Sequence, residues 1–418
     1  MQVIILPKYI LLFLYQFPDY KSNIQVFIMI GLFNENFPPI LDGVSLTMQN
    51  YAYWLNRQGE DVRVVTAFTP KARSFDHLQP YPIYRYTSIP IFRRPPYRLG
   101  LPHIDVRVIP QVRRMPFDII HAHCPFSAGI LGQRIAARHG IPFVATFHSK
   151  YRTDLEGGVR VSWAVDKEVK RIVQFYERAD EVWIPQASME STLREYGYRG
   201  TVQVVENGND FVTDVAEYQR LRQQMRRELG VQPHETMLLF VGQHIWAKNI
   251  ALIIDSLARL KGLPWKLFLC GTGNARLEIA HKIESYGLQD QARLLGLVSD
   301  RSRLKAIDAA ADLFLFPSLY DNAPLVVREA AALRTPSVMI AGSTAAGVIS
   351  DGDNGFLTTN DVDAYASLVK HLIENSDLVH RVGVKASTTL TRSWENIVLE
   401  VRDRYKDICH RYSKRPTY

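Results

Sequence analysis

Residues 316–336 (FPSLYDNAPLVVREAAALRTP) hold the densest group of side chains able to do chemistry. A strand end, a loop with Asp321 and a helix with Glu329 follow one another, the two acids eight positions apart. In that loop Asp321 and neighbouring backbone N–H groups could meet sugar hydroxyls, while Glu329, in the helix's first turns, could accept hydrogen bonds from a ribose diol. Both acids could equally serve the fold, Glu329 by favouring the helix N-terminal end and Asp321 as a turn residue.

Residues 241–250 (VGQHIWAKNI) read as a strand ending in Gly242, a loop with Lys248, then a helix. Such a place suits phosphate: glycine lets an anion approach the backbone, the helix start offers unpaired N–H groups and a positive dipole end, and Lys248 adds a charge. An ordinary turn with a surface lysine has the same pattern. Residues 269–277 (LCGTGNARL) form a second strand-to-helix turn with Gly271 and Gly273, but Arg276 takes the place of a third glycine, so the dinucleotide fingerprint is incomplete.

In residues 146–150 (TFHSK), His148 stands just beyond a strand's carboxyl end, where ligands bind in open α/β sheets. A structural hydrogen-bonding role is the alternative there. His121, His123 and Cys124 (HAHC) read as another strand end rather than a metal site, since H-x-H points both rings to one face with no further ligand nearby. The D-x-D of residues 350–353 (SDGD) runs into Asn354 and Gly355 and reads as a turn.

These residues need strands to position them, and the chain supplies two series. Strand patterns at 25–33, 61–67, 117–122, 142–147 and 181–184 alternate with helical patterns at 45–57, 127–138 and 165–178. After the turn at 206–210 (ENGND) and a charged helix around 218–229, strands follow at 237–241, 266–270, 292–295, 313–316 and 337–340. This predicts an α/β fold of two Rossmann-like halves facing each other across a cleft. The expected division is an extension at 1–23, an N-terminal Rossmann-like domain at 24–209, a C-terminal Rossmann-like domain at 210–393, and at 394–418 a helix crossing back, followed by a basic tail.

The 418 residues, 47% apolar, suffice for two or three domains. Lys and Arg total 50 against 42 Asp and Glu, and this net +8 suits anionic partners or simple solubility. Cys124, Cys270 and Cys409 are scattered, which suggests neither disulfides nor structural zinc and fits a reducing cytoplasm. The apolar run at 9–17 (YILLFLYQF) is shorter than the about 20 residues of a membrane helix, and no small-residue cleavage site follows it before PDYKSN.

Taken together, the segments from about residue 24 onward resemble family 4 retaining glycosyltransferases of the GT-B fold, including lipid- and polysaccharide-glycosylating members such as diacylglycerol glucosyltransferases. Residues 33–44 (FNENFPPILDGV) look like the family's opening loop, in which Asp42 and Gly43 would border sugar and acceptor. Residues 121–129, bringing His123 to the same side, and 146–149 resemble the next cleft-lining segments. Residues 206–210 match the turn between domains, 242–248 the phosphate loop, and 321–329 the paired-acid motif. The resemblance implies metal-independent transfer of a hexose from a UDP- or GDP-sugar, with configuration retained and no cofactor. The donor would lie on Gly242, Gln243, Lys248, Gly271, Asp321, Ala323, Pro324, Leu325 and Glu329. Lys248 would neutralise the departing diphosphate, Glu329 hold the ribose, Asp321 contact the sugar, and His148 reach it from the other domain.

Several positions depart from the family pattern. Gln243 replaces an arginine, Asp321 a glutamate, Arg334 a glycine and Gly347 a glutamate. Gln243 and Asp321 motivate one competing expectation, an inactive sugar-nucleotide-binding relative; a sugar-nucleotide epimerase or dinucleotide oxidoreductase of similar architecture is another. The acceptor is open between a lipid and a glycan. Basic, aromatic-bearing segments at 91–98 (IFRRPPYR), 113–114 and 167–178 could rest on an anionic membrane at its cytoplasmic face or form a solvated rim. Nucleic acid is not an expected partner.

Overall fold

The computed structural model describes residues 27–91, 96–156 and 161–414. The extension at 1–23 and the last tail residues lie outside them.

Fifteen strands are present among the described residues. The first series is β1 (Met29–Phe33), β2 (Asp61–Ala67), β3 (Ile83–Tyr86), β4 (Ser88–Pro90), β5 (Arg98–Gly100), β6 (Ile119–Ala122), β7 (Phe143–Thr146), β8 (Glu181–Ile184) and β9 (Gln203–Val204). The second is β10 (Thr236–Val241), β11 (Trp265–Cys270), β12 (Ala292–Gly296), β13 (Leu313–Leu315), β14 (Ser337–Ile340) and β15 (Phe356–Thr358). One sheet runs β3-β2-β1-β6-β7-β8-β9 and the other β12-β11-β10-β13-β14-β15, while β4 and β5 form a separate antiparallel ribbon. All the pairings within the two large sheets are parallel.

Both orders reverse once, between β1 and β6 and between β10 and β13, which makes two Rossmann-like sheets, each with a crevice at its switch point. The central strands have apolar side chains on both faces because helices cover both sides; β6, β7, β13 and β14 are buried throughout.

Several helices begin where a short polar side chain takes up an orphan N–H. Asp42 and Ser45 form a reciprocal capping box for Gly43–Arg57, Asp214 caps Val215–Leu229, and Asp300 caps Arg301–Ala310. The helix Trp394–Ser413 buries Trp394, Ile397, Val398, Val401, Tyr405 and Ile408 in one core with Ile28, Tyr51 and Trp183 of the first series.

The ENGND turn is more than a connection. Glu206 accepts from Arg328 Nη2 at 2.9 Å, Asn207 sits between Thr47 and the Ala323 carbonyl, Asn209 donates to the Arg328 carbonyl, and Asp210 pairs with Arg301. Its polar side chains thereby tie the turn to the start of the Leu325–Ala332 helix and to Arg301–Ala310.

Candidate active site

The carboxyl ends of the two sheets face each other, and direct bonds cross between them. Asn322 Nδ2 donates to the His148 carbonyl at 2.9 Å, Lys150 Nζ to the Leu319 carbonyl at 3.1 Å, and the Tyr320 hydroxyl to Asp154. The loop after β13 therefore rests on the loop after β7.

On the second sheet, Lys248 closes a short 3-10 turn, Trp246–Lys248, that leads into the helix Ile250–Ala258. Asn249 follows in the left-handed region at φ 61, its amide held by the Pro317 carbonyl and Asn360. Buried Lys248 reaches Asp321, with Nζ 2.5 and 2.6 Å from the two carboxylate oxygens and over the rings of Phe316 and Tyr320. Ser318 Oγ accepts from the Tyr320 and Asp321 N–H groups and so shapes the loop that carries the acid.

Glu329 is buried in the helix Leu325–Ala332 and takes Arg301 Nη2 on Oε1 at 2.7 Å. Burial raises its carboxyl above the usual range, and Arg301 opposes that rise.

On the first sheet His148 joins a buried chain of rings. Its Nε2 is hydrogen-bonded to His123 Nδ1 at 3.0 Å, His121 lies 4.2 Å from His123 between ring centres, and His121 bonds Tyr405 and Thr146. Burial pushes His148 down to about 3, and His121 and His123 well below the usual imidazole value, so all three are neutral at pH 7.

The other expected residues are placed as follows. Gln243 is exposed, and Gly242 bonds the Cys270 carbonyl. Gly271, at φ 139, packs so closely that a Cβ would lie 1.9 Å from the Gly242 oxygen, which accounts for that glycine by loop-on-loop packing. Ala323 lies against the first core, Pro324 precedes the Leu325–Ala332 helix as its cap, and Leu325 is buried beside Trp394 and Tyr51. Asp42 caps its helix, and a side chain on Gly43 would meet nothing within 4 Å. His123, expected on the acceptor side, is 1% exposed, its ring packed against those of Tyr51, His121 and His148. The HAHC expectation of no nearby partner also changes, because the fold brings in His148. Among the described residues no group of three His, Cys, Asp or Glu side chains has the arrangement of a metal site.

The two remaining departures have structural reasons. Arg334 adopts φ 60, a conformation that costs glycine nothing, and lays its guanidinium over the Tyr218 ring. At Gly347 a Cβ would stand 2.6 Å from Ser188 Cβ, where Gln186 and Ser188 both donate to the Thr344 carbonyl.

Sequence reasoning passed over Glu35, Arg301 and Asn322. Glu35 receives the Gly100 N–H at 2.6 Å, the Ser127 hydroxyl and the Ala128 N–H, pinning the opening loop to the ribbon and to a helix start. Its partners are 65 to 93 positions away in the chain, so no local signal marked it.

Known proteins match this architecture in both halves. Residues 41–211 match the model for Glycosyltransferase Family 4 and residues 222–389 that for Glycosyl transferases group 1. The chain is 25% identical over 362 residues to the alpha-monoglucosyldiacylglycerol synthase of Streptococcus pneumoniae (strain ATCC BAA-255 / R6), covering 84% of this chain and 79% of that protein. It is 26% identical over 313 residues to the alpha-maltose-1-phosphate synthase of Mycolicibacterium smegmatis (strain ATCC 700084 / mc(2)155), covering 69% and 79%. Among solved structures, Anabaena Alr3699/HepE in complex with UDP superposes with a TM-score of 0.74 at 18% identity, covering 91% and 100%. With the two family models spanning both Rossmann-like halves, this chain belongs to the family 4 glycosyltransferases of the GT-B fold.

Proposed function

We propose that the enzyme moves a hexose from a UDP- or GDP-sugar to a lipid acceptor at an anionic membrane surface on the cytoplasmic side, retaining the anomeric configuration and needing no metal. The observation that carries this is the meeting of Lys248 and Asp321 with the His148 loop, joined by the Asn322 bond of 2.9 Å. Lys248 would supply the positive charge for the departing diphosphate, in a cleft closed to water where such stabilisation is the largest catalytic term. His148, neutral, would hydrogen-bond the donor sugar without acting as an acid, and Glu329 would accept the ribose hydroxyls. The C–O bond to diphosphate would break as the bond to the acceptor oxygen forms on the same face of the sugar, the acceptor hydroxyl's proton passing to the departing diphosphate oxygen.

A lipid acceptor is supported by a surface beside the opening loop and by the relative named as a monoglucosyldiacylglycerol synthase. Ile89 and Leu99 stand opposite each other in the β4–β5 ribbon and are exposed. Ile104 and Val106, 63% and 83% exposed, are drawn alongside by Asp105, which binds Thr87. Exposed Arg107 follows Val106 directly, and exposed Arg113 and Arg114 follow the short helix Ile109–Val112, a combination of apolar and basic groups suited to anionic headgroups. Among the described residues no helix is long and apolar enough to cross a membrane. Arg93 and Arg94 of the basic segment lie outside the described residues.

The test incubates the enzyme with UDP-glucose, chelator and anionic vesicles with or without diacylglycerol, and identifies the product and its anomeric configuration by NMR. An α-linked glycolipid formed only with diacylglycerol supports the proposal; transfer to soluble glycans alone, or a requirement for metal, contradicts it.

A further inference from the structure

Arg301 opens the helix Arg301–Ala310 directly after its cap, Asp300. A positive charge there opposes the helix dipole, so something outside the helix must hold it. Two acids do. Arg301 Nη2 is 2.5 Å from Asp210 Oδ1, in the turn between the halves, and 2.7 Å from Glu329 Oε1. The guanidinium also lies 4.3 Å over the Phe211 ring, which fixes its plane.

The groups facing Glu329 are Arg301, Asp210 beyond it, and Asp308. Asp308 is 1% exposed and its Oδ1 has no hydrogen-bond partner. Two buried carboxyls so placed cannot both carry charge cheaply, and the arginine bonds Glu329. Burial and Glu329 push Asp308 far up, towards its neutral form. Oε2 of Glu329 takes no hydrogen bond among the described residues.

We infer that Arg301 is a positioning residue for nucleotide recognition: it occupies one oxygen of Glu329 and leaves the other for the vicinal hydroxyls of a bound ribose. This rests on the proposal that Glu329 binds the donor ribose. A carboxylate set this way accepts from a diol, whereas one that has lost its arginine takes up a proton in the same buried place and becomes a poorer acceptor.

The test measures binding of UDP and of 2′,3′-dideoxy-UDP to the full chain by calorimetry. The wild type is expected to prefer UDP by roughly 10- to 100-fold, the worth of hydrogen bonds to a charged acceptor. Arg301→Gln should bring UDP down to the dideoxy level, leave dideoxy-UDP unchanged, and recover part of the preference as pH rises; Arg301→Lys should restore most of it. Asp210→Asn cuts the other arm of the bridge and should keep the preference. A preference that survives in Arg301→Gln, or is lost equally in Asp210→Asn, overturns the role for Arg301. A preference that survives in Glu329→Gln instead overturns the ribose site itself, and the two failures are told apart by that variant. Thermal unfolding of each variant separates a lost preference from a lost fold.

Discussion

The ammonium of Lys248 lies 2.5 and 2.6 Å from the two oxygens of Asp321, although 73 positions separate them in the chain. Each stands after a central strand of the second sheet, β10 or β13, so the switch point of that sheet brings them together. The pair is largely buried, so a diphosphate arriving as proposed would compete with Asp321 for the same cation.

The two variants of this pair should therefore diverge. Lys248→Ala is expected to weaken UDP binding and cut kcat/KM on the order of 100-fold or more. Asp321→Asn should leave UDP binding equal or tighter, because Lys248 is no longer neutralised, while still lowering kcat. Calorimetry with UDP checks this; a matching loss of UDP affinity in both would show that the ion pair serves only the fold.

Side-chain bonds hold the loops on the two sides of the cleft together, beside those of Gln186 and Ser188 to the Thr344 carbonyl. The Tyr320–Asp154, Lys150–Leu319 and Asn322–His148 contacts join the loops. The Tyr320→Phe, Lys150→Ala double variant should shift the population toward an open form, read as a larger radius of gyration by X-ray scattering, with KM raised several-fold. An unchanged radius together with unchanged KM would mean that these bonds do not govern closure.

The packing at Gly347 sets a third expectation. Gly347→Glu would drive its Cβ into Ser188, 2.6 Å away, and disturb the bonds to the Thr344 carbonyl. A loss of about 1–3 kcal/mol in denaturant unfolding is expected from such overpacking. If stability does not fall, the close approach at this contact has no energetic weight.

The histidine chain makes stability depend on pH. In the unfolded chain an imidazole takes up its proton near 6.5, whereas His148 in the fold does so only near 3, held down by burial. Between those values the unfolded state binds more protons, so stability is full above pH 6.5 and falls below it, by about 1.4 kcal/mol per pH unit for each such group. His148→Asn should flatten the slope between pH 6.5 and 5 in thermal unfolding. An identical slope in that variant would mean the titrating groups lie elsewhere.

Much of the scaffold is legible in the sequence. The ranges 61–67, 181–184 and 337–340 are strands in the structure with those same limits, because buried parallel strands form continuous apolar runs that turn residues punctuate. The short strands β3, β5, β9 and β15 escape that signal, being three or four residues or fewer, with few buried positions. Lys248, Asp321, Glu329 and His148 are visible because each stands at a strand end or helix start. Glu35, Asn322 and Tyr405 are not, since their importance lies in partners far away in sequence, and nothing local distinguishes them from a turn acid, a turn amide or an apolar-face tyrosine. Arg301 did leave a trace, a cation at the wrong end of a helix.

The most direct measurement is a metal-free screen of the purified protein against UDP- and GDP-sugars. It records thermal shift and slow donor hydrolysis for the wild type, Lys248→Ala and Glu329→Ala. Stabilisation and turnover with one donor, lost in both variants, is the predicted result. Stabilisation without turnover, even when lipid and glycan acceptors are added, would contradict it and identify a protein that binds sugar nucleotides without transferring the sugar.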